Sequence, residues 1–207
     1  MRTFIYVDGF NLYYGCCKGR PYKWLNPSLL CKHLLQEQNH VEKIKYFSAE
    51  MKPRADDPDC LNSQRTFFRA LKTISNLEIK LGKFLENEAH MLLADPTTKP
   101  RVVKVLKIEE KGSDVNIATQ MLVDAFDDRF DCAVLISNDS DLARPIEIIK
   151  QRFNKVVGVL NPQKNQSVAL KTVVDFYKPI RKGVLKISQF PETLADMEGT
   201  FHKPSSW

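Results

Sequence analysis

Residues 4–7 (Phe-Ile-Tyr-Val) and 133–137 (Ala-Val-Leu-Ile-Ser) are almost continuously apolar, and aspartates follow each run: Asp8 the first, Asp139 and Asp141 the second. An unbroken apolar run is what a parallel strand covered on both faces requires. Both stretches are therefore expected deep in a sheet. Further β-branched runs at 44–48, 78–81, 102–108, 156–160 and 173–177 alternate with helical patterns, which predicts an α/β fold. Helix starts are readable at Asn26-Pro27, Asp57-Pro58, Gly112-Ser113-Asp114 and Asp141, the last because Pro145 belongs in a first turn. No periodicity spans 86–100, where Asp95-Pro96 and Lys99-Pro100 mark a connection, so a surface loop is expected there.

The length of 207 residues corresponds to one domain with an extension, at about 150 residues per domain. With 43% hydrophobic and 27% charged residues, disordered and collagen-like classes are excluded. No apolar run approaches the roughly 18 residues of a membrane helix, and Asp8 comes too early for a signal peptide. The expectation is a soluble cytoplasmic protein that does not enter membranes. Five cysteines without a C-x-x-C, and four histidines that share no ligand spacing with them, argue against zinc. The net charge of +6 favours polyanionic partners, but only mildly.

Ligands of an open parallel sheet bind beyond the carboxyl ends of its strands. Asp8, Asp139 and Asp141 follow two such ends, and Asp114, at a predicted helix start after the 102–108 strand, can join them. Two carboxylates about 4 Å apart repel by roughly 4 kcal/mol at an effective dielectric near 20. A converging set of four thus calls for a cation, and an oxygen-only donor set suits Mg²⁺ or Mn²⁺. The plainer reading makes Asp139 and Asp141 loop and cap residues, Asp8 a turn residue and Asp114 a helix-dipole partner. With 14 Asp in the chain a D-x-D pattern means little alone, and Asp57-Pro58-Asp59 is a second one. The argument for a site rests on position after central strands.

Tyr6-Val7-Asp8-Gly9-Phe10-Asn11-Leu12, Glu110-Lys111-Gly112-Ser113-Asp114-Val115 and Val134-Leu135-Ile136-Ser137-Asn138-Asp139-Ser140-Asp141 occur in that order. Together they closely resemble the NYN domain, a LabA-like branch of the PIN-like nuclease group. The likeness runs on through Val174-Asp175-Phe176-Tyr177 to Pro191, so the domain is expected over 1–191, with 192–207 as a C-terminal tail. The resemblance implies a three-layer α/β/α fold around a central, mainly parallel sheet, and metal-dependent cleavage of RNA. It also implies that Asp8, Asp114, Asp139 and Asp141 are catalytic acids and metal ligands, that Asn11 orients a carboxylate or water, and that Ser137 supports the turn. Two positions depart from the family pattern. Gln120 stands where relatives carry another acid, with Asp124 one helical turn beyond as a partial substitute or a solvated residue. Asn138 replaces the usual Gly, a mild change because Asn tolerates positive φ.

Residues 13–24 interleave Tyr13, Tyr14, Tyr22 and Trp24 with Lys18, Arg20 and Lys23, a combination suited to single-stranded nucleic acid. Lys18, Arg20 and Trp24, with Lys111 and Arg144 near the acids, are the candidate substrate contacts. The same aromatics could instead pack the loop onto the core. The leading function is a Mg²⁺- or Mn²⁺-dependent endoribonuclease. A degenerate relative that binds RNA or a protein without cutting is the first alternative, and a metal-dependent phosphatase or DNA nuclease the second. A homo-oligomer is compatible with the sequence, but nothing in it requires one.

Overall fold

The computed structural model describes residues 1–51, 57–95 and 97–207. Pro96, part of the expected connection, lies outside the described residues. Seven strands form one sheet in the order β4-β3-β2-β1-β5-β6-β7. These are β1 (Arg2–Asp8), β2 (His40–Ala49), β3 (Leu77–Leu92), β4 (Val102–Lys111), β5 (Cys132–Ile136), β6 (Val156–Asn161) and β7 (Phe176–Pro179). All neighbours are parallel except β3 and β4. The two apolar runs are β1 and β5, paired side by side from Thr3↔Cys132 to Val7↔Ile136. From β1 the chain builds outward through β2 and β3; from β5 it builds the other way, so the strand order reverses between β1 and β5. That reversal is the crevice where open α/β sheets bind ligands.

Side-chain alternation along the strands separates two cores. Ile5, Val7, Ile44, Tyr46, Val134 and Ile136 face α2 (Pro27–Leu34) and α3 (Cys60–Lys72), which contribute Leu30, Cys31, Phe67, Phe68 and Leu71. Phe4, Tyr6, Phe47, Ala133, Leu135 and Val157 face α4 (Ser113–Phe126), α5 (Ala143–Phe153) and α6 (Val168–Val173), which contribute Ile117, Met121, Ile146, Ile149 and Leu170. The result is the expected three-layer α/β/α arrangement. Asn26 caps α2 as its sequence predicts, accepting from the Ser28 and Leu29 amides.

Three segments differ from expectation. Residues 86–92 belong to β3, which runs on past the sheet and pairs with β4 from Lys83↔Lys111 to Leu92↔Val102 as a two-stranded ribbon. Leu85, Met91, Leu92, Leu106 and Ile108 are all exposed on it, so neither face imposes a hydrophobic alternation that sequence could register. The expected 173–177 strand begins only at Phe176, because Val173 closes α6. Residues 192–207, expected as a tail, include the hairpin β8 (Thr193–Asp196) and β9 (Gly199–His202). Phe201 is buried beneath Arg69, Asp196 pairs with Arg69 at 2.6 Å, and the Trp207 ring lies 5.6 Å from Phe67.

The short helix α1 (Gly9–Leu12), continued by a wide turn over Tyr13–Cys17, leaves β1 at Asp8. It passes so close to β2 that a Cβ on Gly9 would sit 2.7 Å from the Phe47 carbonyl oxygen and 2.8 Å from the Tyr46 ring. Gly9→Ala is therefore expected to lower stability by about 1–3 kcal/mol, the usual range for overpacking. Urea unfolding measures it; an unchanged midpoint would show that β2 yields without strain.

Candidate active site

Asp8 is only 4% exposed, yet both its oxygens are engaged. Oδ1 accepts from the Asn11 amide at 2.9 Å, capping α1, and Oδ2 accepts from Ser137 Oγ at 2.9 Å. Ser137 Oγ also accepts from the Asp139 amide at 3.1 Å, so one hydroxyl ties the end of β1 to the turn after β5. This is the support for the turn expected of Ser137. Asp139 Oδ1 in turn accepts from the Asp141 amide at 2.9 Å and caps the 3-10 turn Ser140–Leu142.

Burial, followed by the charges of Asp114 and Asp139, pushes the Asp8 carboxyl up to about 6, against the lowering effect of its two hydrogen bonds. Asp114, in the first turn of α4, is also raised, first by burial and then by Asp139, Glu110 and Asp141. The acids thus feel one another electrostatically. Asp8, Asp114 and Asp139 line one cleft of about 550 Å³ together with Phe10, Asn11, Tyr14, Phe84, Glu110 and Gln163. Asp141 does not line it and is exposed, although its charge reaches Asp114. Among the described residues, no three His, Cys, Asp or Glu side chains stand close enough to form a preassembled metal cage. The donor set fits a hard cation that keeps most of its waters and takes one or two carboxylates.

Asn11 plays a different part from the one its position suggested. Its backbone amide, not its side chain, meets Asp8; its Oδ1 accepts from the Asn138 amide and Gln163 Nε2, both at 3.2 Å. Asn138 does not have positive φ. Its amide ties the turn to its surroundings instead, donating to Asn165 O at 3.1 Å and accepting from the Ser167 amide at 2.9 Å and Tyr177 Oη at 2.7 Å.

Trp24 must be withdrawn as a base-stacking residue: it is 1% exposed, donates from Nε1 to Pro191 O at 2.7 Å and packs against Phe67 and Phe190. The aromatic residue turns inward because the segment around Phe190 supplies its pocket. Tyr14 presents the open face instead, half-exposed in the cleft with Lys18 Nζ 4.6 Å from its ring centre. Arg20 donates to Gly15 O at 2.9 Å. Lys111 pairs with Glu109 at 3.3 Å and Arg144 with Glu147 at 2.8 Å, both at the surface.

Asp124 is neither a ligand nor a solvated residue. It is 5% exposed and binds Lys45 Nζ at 2.6 Å, Tyr6 Oη at 2.7 Å and Gln120 Nε2 at 3.0 Å. Gln120 is thereby committed to a buried network outside the cleft. Glu110, Gln163, Phe84 and Ile108 were not singled out from sequence. Glu110 follows from its place before Lys111-Gly112, its Oε1 accepting from the Ser113 amide and hydroxyl at 3.1 and 2.9 Å. The other three left no local signal, because distant segments bring them to the cleft.

A parallel sheet with carboxylates at its switch point defines a class, and the NYN domain family model matches residues 2–180: the chain belongs to that PIN-like family. Among named proteins, it is 32% identical over 236 residues to 6-hydroxy-3-succinoylpyridine 3-monooxygenase HspA of Pseudomonas putida (strain DSM 28022 / S16), covering 100% of this chain and 75% of that protein. A crystal structure of VPA0982 from Vibrio parahaemolyticus RIMD 2210633, a protein of unknown function, shares the fold. Its TM-score is 0.58 at 24% identity, covering 87% of this chain and 93% of that one.

Proposed function

We propose that this chain is a Mg²⁺- or Mn²⁺-dependent endoribonuclease acting on single-stranded or structured RNA. The reading is carried by one observation: Asp8, Asp114 and Asp139 line a single cleft at the switch point, where burial and, after it, the neighbouring carboxylates raise Asp8 and Asp114. Asp8, Asp114 and Asp139, assisted by Asp141, would hold the cation. Such an ion supplies an activated water and stabilises the leaving oxygen in phosphodiester hydrolysis. Ser137 and Asn11 fix the turn that carries Asp139, the Tyr14 ring with Lys18 offers a stacking face, and Arg20, Lys111 and Arg144 add positive charge for phosphates. Among the described residues no helix is long and apolar enough to cross a membrane. A cytoplasmic location and a domain spanning 1–191 belong to the same proposal.

The test is cleavage of a labelled, mostly single-stranded RNA with Mn²⁺ and with chelator. Fragments are expected only with the metal; cleavage that persists in chelator overturns the metal requirement. RNA that binds but is never cut favours the non-cleaving alternative, which Gln120 supports because its amide is spent on Asp124. The 32% identity to a protein named a monooxygenase favours a further reading, hydroxylation of a small pyridine. Dioxygen consumption with a hydroxypyridine and a reductant, without RNA cleavage, would establish that one.

A further inference from the structure

The acidic cleft has a second wall that its carboxylates do not account for. Besides Asp8, Asp114 and Asp139 it is lined by Phe84 and Ile108 from the β3–β4 ribbon and by Phe10 from α1. Phe84 stands opposite Glu110 in the ribbon register, and Ile108, two residues before Glu110, shares their face. The ribbon thus turns one acid and two apolar side chains to the cleft together. The Phe84 and Phe10 rings meet edge to face with their centres 5.6 Å apart, which joins the ribbon to α1 in one apolar wall. Ile108 is 51% exposed and Phe84 only partly covered, so this wall is open to the cleft and not sealed into a core. Apolar residues scattered singly over a surface are ordinary, but here side chains of three elements converge beside a set of carboxylates. A cation with its waters and one phosphate needs only the acidic side. At about 550 Å³ the cleft falls within the roughly 300–1,000 Å³ of small-molecule sites, which leaves room for more than a phosphate. The occupant that uses both walls carries a phosphate for the cation and a flat ring for the apolar side, which describes a nucleotide. A sugar phosphate would leave the apolar wall wet, and a free ring would leave the acids unused.

We propose that Phe84 and Ile108 form a base subsite, which holds the nucleobase of the nucleotide whose phosphate lies at the acids. As a device for choosing where RNA is cut, it rests on the ribonuclease reading. A base inside a duplex has its faces covered by its neighbours and its edge by its partner, so only an unpaired, unstacked base can reach the wall. The ribbon then sets which positions of an RNA enter the cleft, a part that the acids alone cannot play.

The experiment titrates adenosine 5′-monophosphate, ribose 5-phosphate and 2-hydroxypyridine into the full chain with Mg²⁺ present, followed by calorimetry. The nucleotide is expected to bind about tenfold or more tightly than ribose 5-phosphate, the gain that one stacked base supplies. In the double variant Phe84→Ala with Ile108→Ala that advantage should fall to about twofold, while ribose 5-phosphate binds as before and so reports an intact acidic side. Ile108→Ala alone, at a half-exposed position, should cost a few-fold and serves if the double variant does not fold. Equal binding of nucleotide and ribose 5-phosphate by the wild type overturns the proposal, as does an advantage that survives in a folded variant or no saturable nucleotide binding at millimolar concentration. Binding of 2-hydroxypyridine as tight as that of the nucleotide overturns it in favour of a free ring. None of the three ligands has a phosphodiester bond to cut, so the subsite and the ribonuclease reading fail separately. RNA cleavage without a base advantage removes the subsite alone; a base advantage beside RNA that is never cut removes the ribonuclease reading and leaves a nucleotide-binding cleft.

Discussion

Replacing Asp139 by Asn is expected to reduce metal-dependent RNA cleavage about a thousandfold or more while the protein stays folded. The substitution removes one negative charge but keeps an oxygen at Oδ1, which can still accept from the Asp141 amide and preserve the turn. What is lost is a carboxylate facing the cation, and withdrawing about 4 kcal/mol of transition-state stabilisation slows a reaction by roughly that factor. Initial rates in Mn²⁺ alongside thermal unfolding check both halves. An unchanged rate in a folded variant would remove Asp139 from the chemistry and with it the proposed centre.

The largest expected loss of stability lies elsewhere, at Lys45. Its ammonium and the Asp124 carboxylate are both more than nine-tenths buried and meet at 2.6 Å. Removing one partner of such a pair leaves an uncompensated charge, which typically costs 3–5 kcal/mol, so Lys45→Ala is expected to lose about that much. Urea unfolding is the measurement, and a loss below about 1 kcal/mol would mean that Tyr6 and Gln120 carry Asp124 unaided. Pairing Lys45→Met with Asp124→Leu should restore much of the stability, since an apolar pair of similar volume avoids the desolvation of both charges. The pair joins β2 to α4, the helix whose first turn carries Asp114, so it also anchors the element that presents that acid.

What could be read in advance follows the range of the interactions. The central strands were legible because burial on both faces leaves continuous apolar runs, and the acids stood out because they follow those runs directly. The 102–108 run did mark β4, but the outer part of β3, residues 86–92, was not legible, since a strand exposed on both faces has no pattern to show. Trp24 misled because a ring among cations reads the same whether it turns out to a base or in to Phe190. Asp124 was hidden because its partner Lys45 lies 79 residues away. Two unremarkable polar residues became a buried pair only when β2 and α4 met. Gln163 and Phe84 depended likewise on tertiary placement.

The bond between Ser137 and Asp8 spans 129 residues, and the pairing of β1 with β5 is what makes it. During synthesis, at about 5–20 residues per second, the ribosome releases β1 many seconds before β5. Until then Asp8 has neither its hydroxyl donor nor the Asp139 carboxylate, and parallel strands far apart in sequence are slow to join. The acidic cleft therefore exists only once both halves of the sheet have met, so a growing or truncated chain lacking β5 carries no assembled centre.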